Sequence, residues 1–228
     1  FFKLILSFHM RLSNFTTEDI RSAKELEFNL YHGTSSVFLD SIMREGFGYR
    51  DNDIFNEEIL KRLWENLKDT NLKYVRAHSY IIPDMIEQCG RLKYEGVYLT
   101  PSKAQAIRYA KNNPYGEYLS TIYNCYKTLS SVDEKKANLI IPTEHPLKKI
   151  FNTRPKPILI TLENANISKL EGEDKLNITI LLTDIYKTYW DTVDWADDEA
   201  IDVLMEQKDI VLKEVLESDL IQVEYLNA

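Results

Sequence analysis

The chain has 228 residues, of which 44% are hydrophobic and 11% aromatic, and its formal net charge at pH 7 is −8. This length and apolar content exclude global disorder and favour a single domain over residues 1–228. The charge is uneven, because residues 191–228 carry 12 acids and 2 bases whereas the preceding 190 residues carry 24 acids and 26 bases. A surface that binds nucleic acid everywhere is therefore excluded, although a local basic groove in the first two thirds is not.

The cysteines and the first residues give further limits. Cys89 and Cys125 are 36 residues apart, with no Cys-x-x-Cys motif or Cys/His cluster near them, so we expect neither a disulfide framework nor a metal site. This cysteine usage fits a reducing, cytoplasmic site of action. The apolar segment of residues 1–10 is too short to span a bilayer, so we interpret it as a first strand or an entry segment and expect no membrane partner.

Five segments of the first two thirds repeat apolar residues at the helical period of 3.6 and are predicted to be helices. They are residues 14–28, 35–47, 54–68, 101–112 and 116–130. The third of these belongs to a predicted helical insertion at about residues 51–93. A polar connection is predicted around residues 131–157, and a further helix over residues 194–207.

Six short segments rich in β-branched and aromatic residues are predicted to be strands. They are residues 28–32, 95–100, 156–164, 177–183, 209–215 and 220–226. Strands dominate the end of the chain and are scattered through its front, with helices flanking and inserted between them. This order indicates an α+β domain.

Two strand–turn–helix units place ring-bearing side chains where a strand meets a helix. The first is Tyr31-His32-Gly33-Thr34, and the second is the segment Gly96 to Thr100, whose following helix carries Tyr109. Pockets and exposed backbone N–H groups gather at such junctions. A histidine at a strand end is also typical of a satisfied core residue, so the motif gains weight only in combination with the second unit.

Together, "LYHGTSSVFLDSIMREGF" and "GVYLTPSKAQAIRYA" resemble the ADP-ribosyltransferase fold of the diphtheria-toxin and poly(ADP-ribose) polymerase type, whose catalytic signature is His-Tyr-Glu. In that family a strand ends in His-Gly-Ser/Thr, and a later Gly-φ-Tyr-φ strand is followed by a helix with a second tyrosine 11 residues on. Tyr98 and Tyr109 are also 11 residues apart. The resemblance implies a split β-sheet core.

By this resemblance, NAD is the co-substrate, and residues of both units bind it. His32 would hydrogen-bond a ribose hydroxyl, and Gly33, followed by Thr34, would leave the backbone accessible to the nicotinamide carboxamide. Tyr98 would stack on one face of the nicotinamide ring and Tyr109 would close the other. Cleavage of the N-glycosidic bond then needs orientation, exclusion of water and negative charge beside the forming oxocarbenium ion.

The family's glutamate, at or near the start of the penultimate strand, has no clear equivalent. Asp209 stands at that position if residues 209–215 form the strand, Glu206 lies one turn before it, and Glu214 lies further along. We rank these carboxylates in that order, although an aspartate is one methylene shorter and needs a closer backbone. Ala106 stands where the family has a small hydroxyl residue.

Other residues carry weaker interpretations. His78 and His145 have no motif around them and are interpreted as structural or surface residues. Arg76 or Arg91 would contact the adenosine phosphates, unless both are simply solvated. The acidic segment 190–202 occupies the region where transferases of this fold often carry a target-recognition loop, and an ordinary solvated helix is the alternative.

The resemblance predicts a mono-ADP-ribosyltransferase that releases nicotinamide and modifies a protein or a nucleic acid, as a toxin, effector or defence enzyme. Its partners would be NAD, the macromolecular acceptor and an inhibitory or antitoxin protein. Two alternatives remain from the same residues: a tRNA 2′-phosphotransferase-like enzyme, suggested by the "IMREGF" helix, and an inactive module that binds NAD or ADP-ribose.

Overall fold

The computed structural model describes residues 23–26, 28–49, 57–92, 96–172, 176–192, 198–206 and 208–227. The described strands are β1 (Leu30–Ser35), β2 (Val97–Leu99), β3 (Pro157–Leu162), β4 (Leu170–Gly172), β5 (Ile210–Leu212) and β6 (Gln222–Tyr225). The described α-helices are α1 (Leu39–Glu45), α2 (Glu57–Glu65), α3 (Lys73–Ala77), α4 (Ile81–Leu92), α5 (Lys103–Asn112), α6 (Glu117–Val132), α7 (Glu134–Ile140), α8 (Pro146–Phe151), α9 (Ile178–Thr192) and α10 (Asp198–Leu204).

The strands form two small antiparallel sheets with the orders β1-β3-β6 and β2-β5-β4. A single antiparallel bridge joins them, in which the N–H groups of Tyr31 and Thr100 each donate to the other residue's carbonyl, at 2.8 and 2.9 Å. The mixed α+β class predicted from the sequence is confirmed. The two sheets are hereafter called half-sheets, and the bridge marks the point where they meet.

Helix α5 connects the half-sheets by following β2 in the chain while packing on β1. Its Ala106 and Ala110 are fully buried, and they lie against Gly33 in the middle of β1. A Cβ atom at Gly33 would stand 1.8 Å from the Ala106 carbonyl oxygen and 3.0 Å from the Ala110 nitrogen. The helix backbone therefore contacts the strand backbone directly, which only glycine permits at this position.

Two hydrophobic clusters flank this framework. The sheet cluster is built from β1, β3, β5 and α9, with Leu30, Ile160, Leu182 and Ile210 among its fully buried members. The helical cluster is built from α2, α4, α6, α7 and α8, and its fully buried members include Leu60, Leu63, Ile82, Leu119, Ile122, Leu129 and Leu147. Phe38, just after β1, packs against both clusters.

The predicted polar connection at residues 131–157 is wrong, because it contains helices α7 and α8 before β3 begins. Asp133 caps α7 by accepting from the Lys136 N–H at 2.9 Å, and His145 caps α8 by accepting from the Leu147 N–H at 3.2 Å. Each helix is one or two turns long and stays in place because apolar side chains such as Leu147 enter the helical cluster. Tertiary packing, rather than a long periodic pattern, stabilises helices of this length.

The strand predicted at residues 177–183 is also wrong, because this segment begins helix α9. The Asn177 carboxamide accepts from the Thr179 N–H at 2.9 Å at the start of the helix, and Leu182, Ile185 and Tyr186 are buried along one face. That spacing of three and four residues is helical and outweighs the β-branched composition of the first turn. The short strand β4 was not predicted.

The segment at residues 14–28 is described only at its end, and there it is not helical. Glu25 forms an antiparallel bridge with Asn166, and the buried Leu26 donates its N–H to the Ala165 carbonyl at 2.9 Å. Residues 14–22, and the apolar segment 1–10, lie outside the described residues. No helix in the described part of the chain is both long and apolar enough to cross a bilayer.

The contact between α5 and β1 gives a first prediction. We expect Gly33→Ala to lower the free energy of unfolding by about 3 kcal/mol or more, because the new methyl group would overlap a backbone atom that cannot rotate away. Urea unfolding followed by circular dichroism measures this loss. A variant with an unchanged midpoint and slope would contradict the close approach of the helix to the strand.

Candidate functional site

His32 and Tyr98, 66 residues apart, meet where the half-sheets diverge. Beyond the bridge between Tyr31 and Thr100, an antiparallel ladder would next pair Gly33 with Tyr98. The ladder ends instead, and the Nδ1 atom of His32 lies 2.8 Å from the Tyr98 carbonyl oxygen. The imidazole therefore makes the hydrogen bond to the Tyr98 carbonyl that the next backbone pair of the ladder would have made.

This contact determines the tautomer of His32. A carbonyl oxygen only accepts, so Nδ1 carries a hydrogen, and in the neutral ring Nε2 is then the acceptor. The ring is half-buried and its centroid lies 5.5 Å from that of the buried Phe47, at the border of the sheet cluster. The histidine is thus positioned from two sides by the fold.

The backbone of Gly33 faces the gap between the half-sheets. The peptide groups of Tyr31 bond to Thr100, immediately after β2. The Ser36 N–H donates at 2.8 Å to the carbonyl of Lys156, immediately before β3. Peptide groups alternate sides along a strand, so the N–H and C=O of Gly33 point away from β3. Thr34 is buried within the same strand, with its side chain on the same face as that of His32.

The two tyrosines stand on different elements. Tyr98 is the half-buried middle residue of β2 and pairs with Val211 of β5. Tyr109 lies on α5 between the two alanines that cover Gly33, and its hydroxyl donates to Glu117 Oε2 at 2.7 Å. Burial of that hydroxyl, together with the negative charge of Glu117, raises the pKa of Tyr109 well above its ordinary value.

Asp209 immediately precedes β5. Because Ile210 pairs with Leu99, the next step of the register places Asp209 level with Thr100, the residue that bridges to Tyr31. Its carboxylate is half-buried, and this desolvation raises its pKa. Within the described part of the chain it makes no ion pair and no side-chain hydrogen bond. Perturbed, unpartnered carboxylates of this kind cluster at functional sites.

The other two candidate carboxylates are already paired. Glu206 accepts a hydrogen bond from Arg108 Nη1 of α5 at 2.9 Å, and this bond and the positive charge of Arg108 lower the pKa of Glu206. Glu214 is exposed beyond the far end of β5, with its carboxylate 3.7 Å from Lys169 Nζ. Of the three candidate carboxylates, Asp209 alone has no partner among the described residues.

A cleft of about 290 Å³ lies between helices α3 and α4 and the start of α6, and neither His32, Tyr98 nor Asp209 lines it. His78 and Tyr74 line it as a stacked pair with centroids 4.2 Å apart, and Glu117 joins it to Tyr109. The sequence offered no signal for it, because its walls come from two separate segments, residues 74–85 and 112–124. Arg76 is exposed on α3, and the side chain of Arg91 lies outside the described residues.

The described residues contain no group of three or more His, Cys, Asp or Glu side chains that could hold a metal ion. Cys125 is a buried free thiol. Comparison with protein-family models, curated proteins and solved structures found no match to this chain. The geometry of its own residues is therefore what supports a functional assignment.

The contrast between Asp209 and Glu206 gives a second prediction. Folding raises the pKa of Asp209, so this carboxyl makes the folded protein less stable as the pH rises through its pKa in the folded state. Asp209→Asn should therefore be at least as stable as the parent at pH 7. Glu206→Gln should be only slightly less stable at pH 7, because Arg108 lowers the pKa of Glu206 but the ion pair is largely exposed. Both differences should vanish at a pH below all of these pKa values.

Urea unfolding of the three proteins at pH 7 and in acid checks this prediction. A large loss of stability in Asp209→Asn at pH 7 would contradict the picture, since it would mean that the carboxylate has a stabilising partner.

Proposed function

We propose that this chain is an NAD-dependent mono-ADP-ribosyltransferase that releases nicotinamide and transfers one ADP-ribose to a macromolecule. The observation that carries the proposal is the hydrogen bond between His32 and the Tyr98 carbonyl at the junction of the half-sheets. Two motifs that resemble the transferase signature, far apart in sequence, are neighbours in space. The divided sheet agrees with the split core that the resemblance implies.

The orientation of β1 suits the nicotinamide end of NAD. A carboxamide offers one acceptor oxygen and a donor NH₂ group, and the N–H and C=O of Gly33 would complement both from one residue. His32 Nε2, the acceptor of its ring, would receive a ribose hydroxyl.

The aromatic residues would hold the ring that leaves. Tyr98 and Tyr109 stand on β2 and on helix α5, whose Ala106 and Ala110 contact Gly33. Stacking between tyrosine faces and the cationic nicotinamide ring is favourable by about 0.5–2 kcal/mol for each contact. The bond from Tyr109 to Glu117 restrains the second ring.

Asp209 would supply the negative charge that the reaction requires. The bond between C1′ of the ribose and the nicotinamide nitrogen breaks, the bonding pair leaves with neutral nicotinamide, and positive charge develops on the sugar. A half-buried carboxylate stabilises that charge more strongly than an exposed one. The acceptor nucleophile then bonds to C1′ and releases its proton, which completes a single transfer.

The same residue supports one alternative. Asp209 replaces the family's glutamate with a shorter side chain, so an inactive module that binds NAD or ADP-ribose without cleavage is the second candidate. The acceptor of an active enzyme would be a protein or a nucleic acid, and an inhibitory protein would be a further partner of a toxin or defence enzyme.

Nicotinamide release separates these candidates and is the third prediction. The unmodified chain, incubated with NAD and a cell extract, should release nicotinamide. Asp209→Asn should reduce kcat by about a hundredfold or more, because it removes the charge beside the forming cation. Glu214→Gln, at the far end of β5, is the matched control and should behave as the parent does.

Binding of NAD, measured by calorimetry, decides between the outcomes. Binding without release in any extract would favour the inactive module. Neither binding nor release would refute the proposed function, and loss of release in both carboxylate variants would refute the role of Asp209.

The class of acceptor is a separate question. Extract treated with NAD labelled in its adenosine half should yield one labelled class of macromolecule, with one ADP-ribose for each modified site. Mass spectrometry with and without prior nuclease digestion would identify that class. Poly(ADP-ribose) chains in the product would contradict single transfer.

A further inference from the structure

The residues just before Asp209 are tied to helix α5. Asp202 Oδ2 accepts from the Ala104 N–H at 2.8 Å, in the first turn of α5, and Glu206 accepts from Arg108 one turn later at 2.9 Å. The first bond satisfies a helix N-terminal N–H that has no partner within the helix. The second is charge-assisted. We call residues 202–208 the strap.

Two further contacts anchor the strap from its other side. Met205 is 4% exposed and packs in the sheet cluster, between the two residues that bind α5. Lys208, directly before Asp209, forms an ion pair with Asp184 of α9. Residues 202, 205, 206 and 208 are thus each held by a different neighbour, within seven positions that end beside the candidate carboxylate.

The strap would compensate for the short, half-buried side chain of Asp209. An aspartate reaches one methylene less far than a glutamate, so its backbone must be held closer to the reacting sugar. Burial of this carboxylate also favours any movement that returns it to water. Without an anchor, a short segment before a three-residue strand would relieve that cost by moving outward.

We propose that Arg108, Glu206 and Asp202 are positioning residues that hold Asp209 at the junction of the half-sheets by tying the strap to α5. The inference rests on the proposed function, in which Asp209 is the charged catalytic residue. Helix α5 also contacts Gly33 of the first motif and carries Tyr109 of the second. The strap therefore fixes Asp209 to the helix that the two motifs share.

The strap has little to add to global stability. The side chain of Arg108 is 55% exposed and that of Glu206 is 25% exposed, and surface ion pairs contribute little to unfolding free energies. A merely structural pair should therefore leave kcat unchanged when it is broken. A positioning pair should lower kcat while the KM for NAD and the melting temperature change little, because only the charged residue is displaced.

A charge swap tests this proposal. Arg108→Glu and Glu206→Arg should each reduce kcat for nicotinamide release by about tenfold to a hundredfold, the loss that a displacement of about 1 Å produces. The double variant should recover most of that activity, because the ion pair is restored with opposite polarity. Raising the salt concentration should reduce kcat of the parent more than that of Arg108→Gln, in which the screened attraction is already absent.

The ion pair between Lys169 and Glu214 provides the matched control, since it lies at the other end of β5 and is also exposed. Lys169→Glu and Glu214→Lys should leave kcat at the parent value. If variants of both ion pairs lost kcat equally, surface charge in general would explain the loss, and the proposal would be overturned. Single Arg108 or Glu206 variants with unchanged kcat would also overturn it.

Amide hydrogen exchange tests the strap without relying on enzymatic activity, because it measures local opening of the backbone. Backbone amides of residues 208–212 should exchange faster in Arg108→Glu than in Lys169→Glu, and the double swap should restore protection. Unchanged exchange would overturn the strap even if the enzyme is active. Failure of the parent chain to release nicotinamide would refute the proposed function instead, while faster exchange would still support the strap.

Discussion

The contact between α5 and Gly33 is the constraint on which the arrangement of this protein depends. A helix that follows β2 in the chain lies with its backbone directly on β1, so the two half-sheets cannot move apart although a single bridge joins them. The same helix carries Tyr109 on one side and binds the strap through Arg108 on another. One close-packed helix thus relates the three regions that the candidate site uses.

The junction of the half-sheets is where we propose that a ligand binds, because the ladder of hydrogen bonds between β1 and β2 is short. In a regular sheet the peptide N–H and C=O groups form hydrogen bonds with the neighbouring strands. Between β1 and β2 this ladder ends after one bridge. The His32 ring takes the Tyr98 carbonyl, and the peptide groups of Gly33 face the gap. Buried or half-buried peptide groups require partners, so such a gap favours a ligand with both donors and acceptors.

The carboxylates of residues 202–209 are of two kinds, those that bind helix α5 and one that has no such partner. Asp202 and Glu206 complete the N-terminus and the outer face of α5, where each has a donor. Asp209 differs because it is half-buried and makes no ion pair within the described residues, although Lys208 stands next to it and is engaged by Asp184. A half-buried carboxylate without a counter-ion among the described residues is costly, and such perturbed groups are candidates for functional sites.

The sequence by itself determined the α+β class, strands β1, β2, β3, β5 and β6 and the His32 and Tyr98 motifs, because period, glycine and aromatic spacing are local signals. It failed at α7 and α8, where capping by Asp133 and His145 and contacts with the helical cluster stabilise short helices, and at residues 177–183, where helical spacing outweighed β-branched composition. Only the tertiary structure distinguished Asp209 from Glu206 and Glu214. A sequence shows which carboxylates exist, but their burial and partners arise only when distant segments meet.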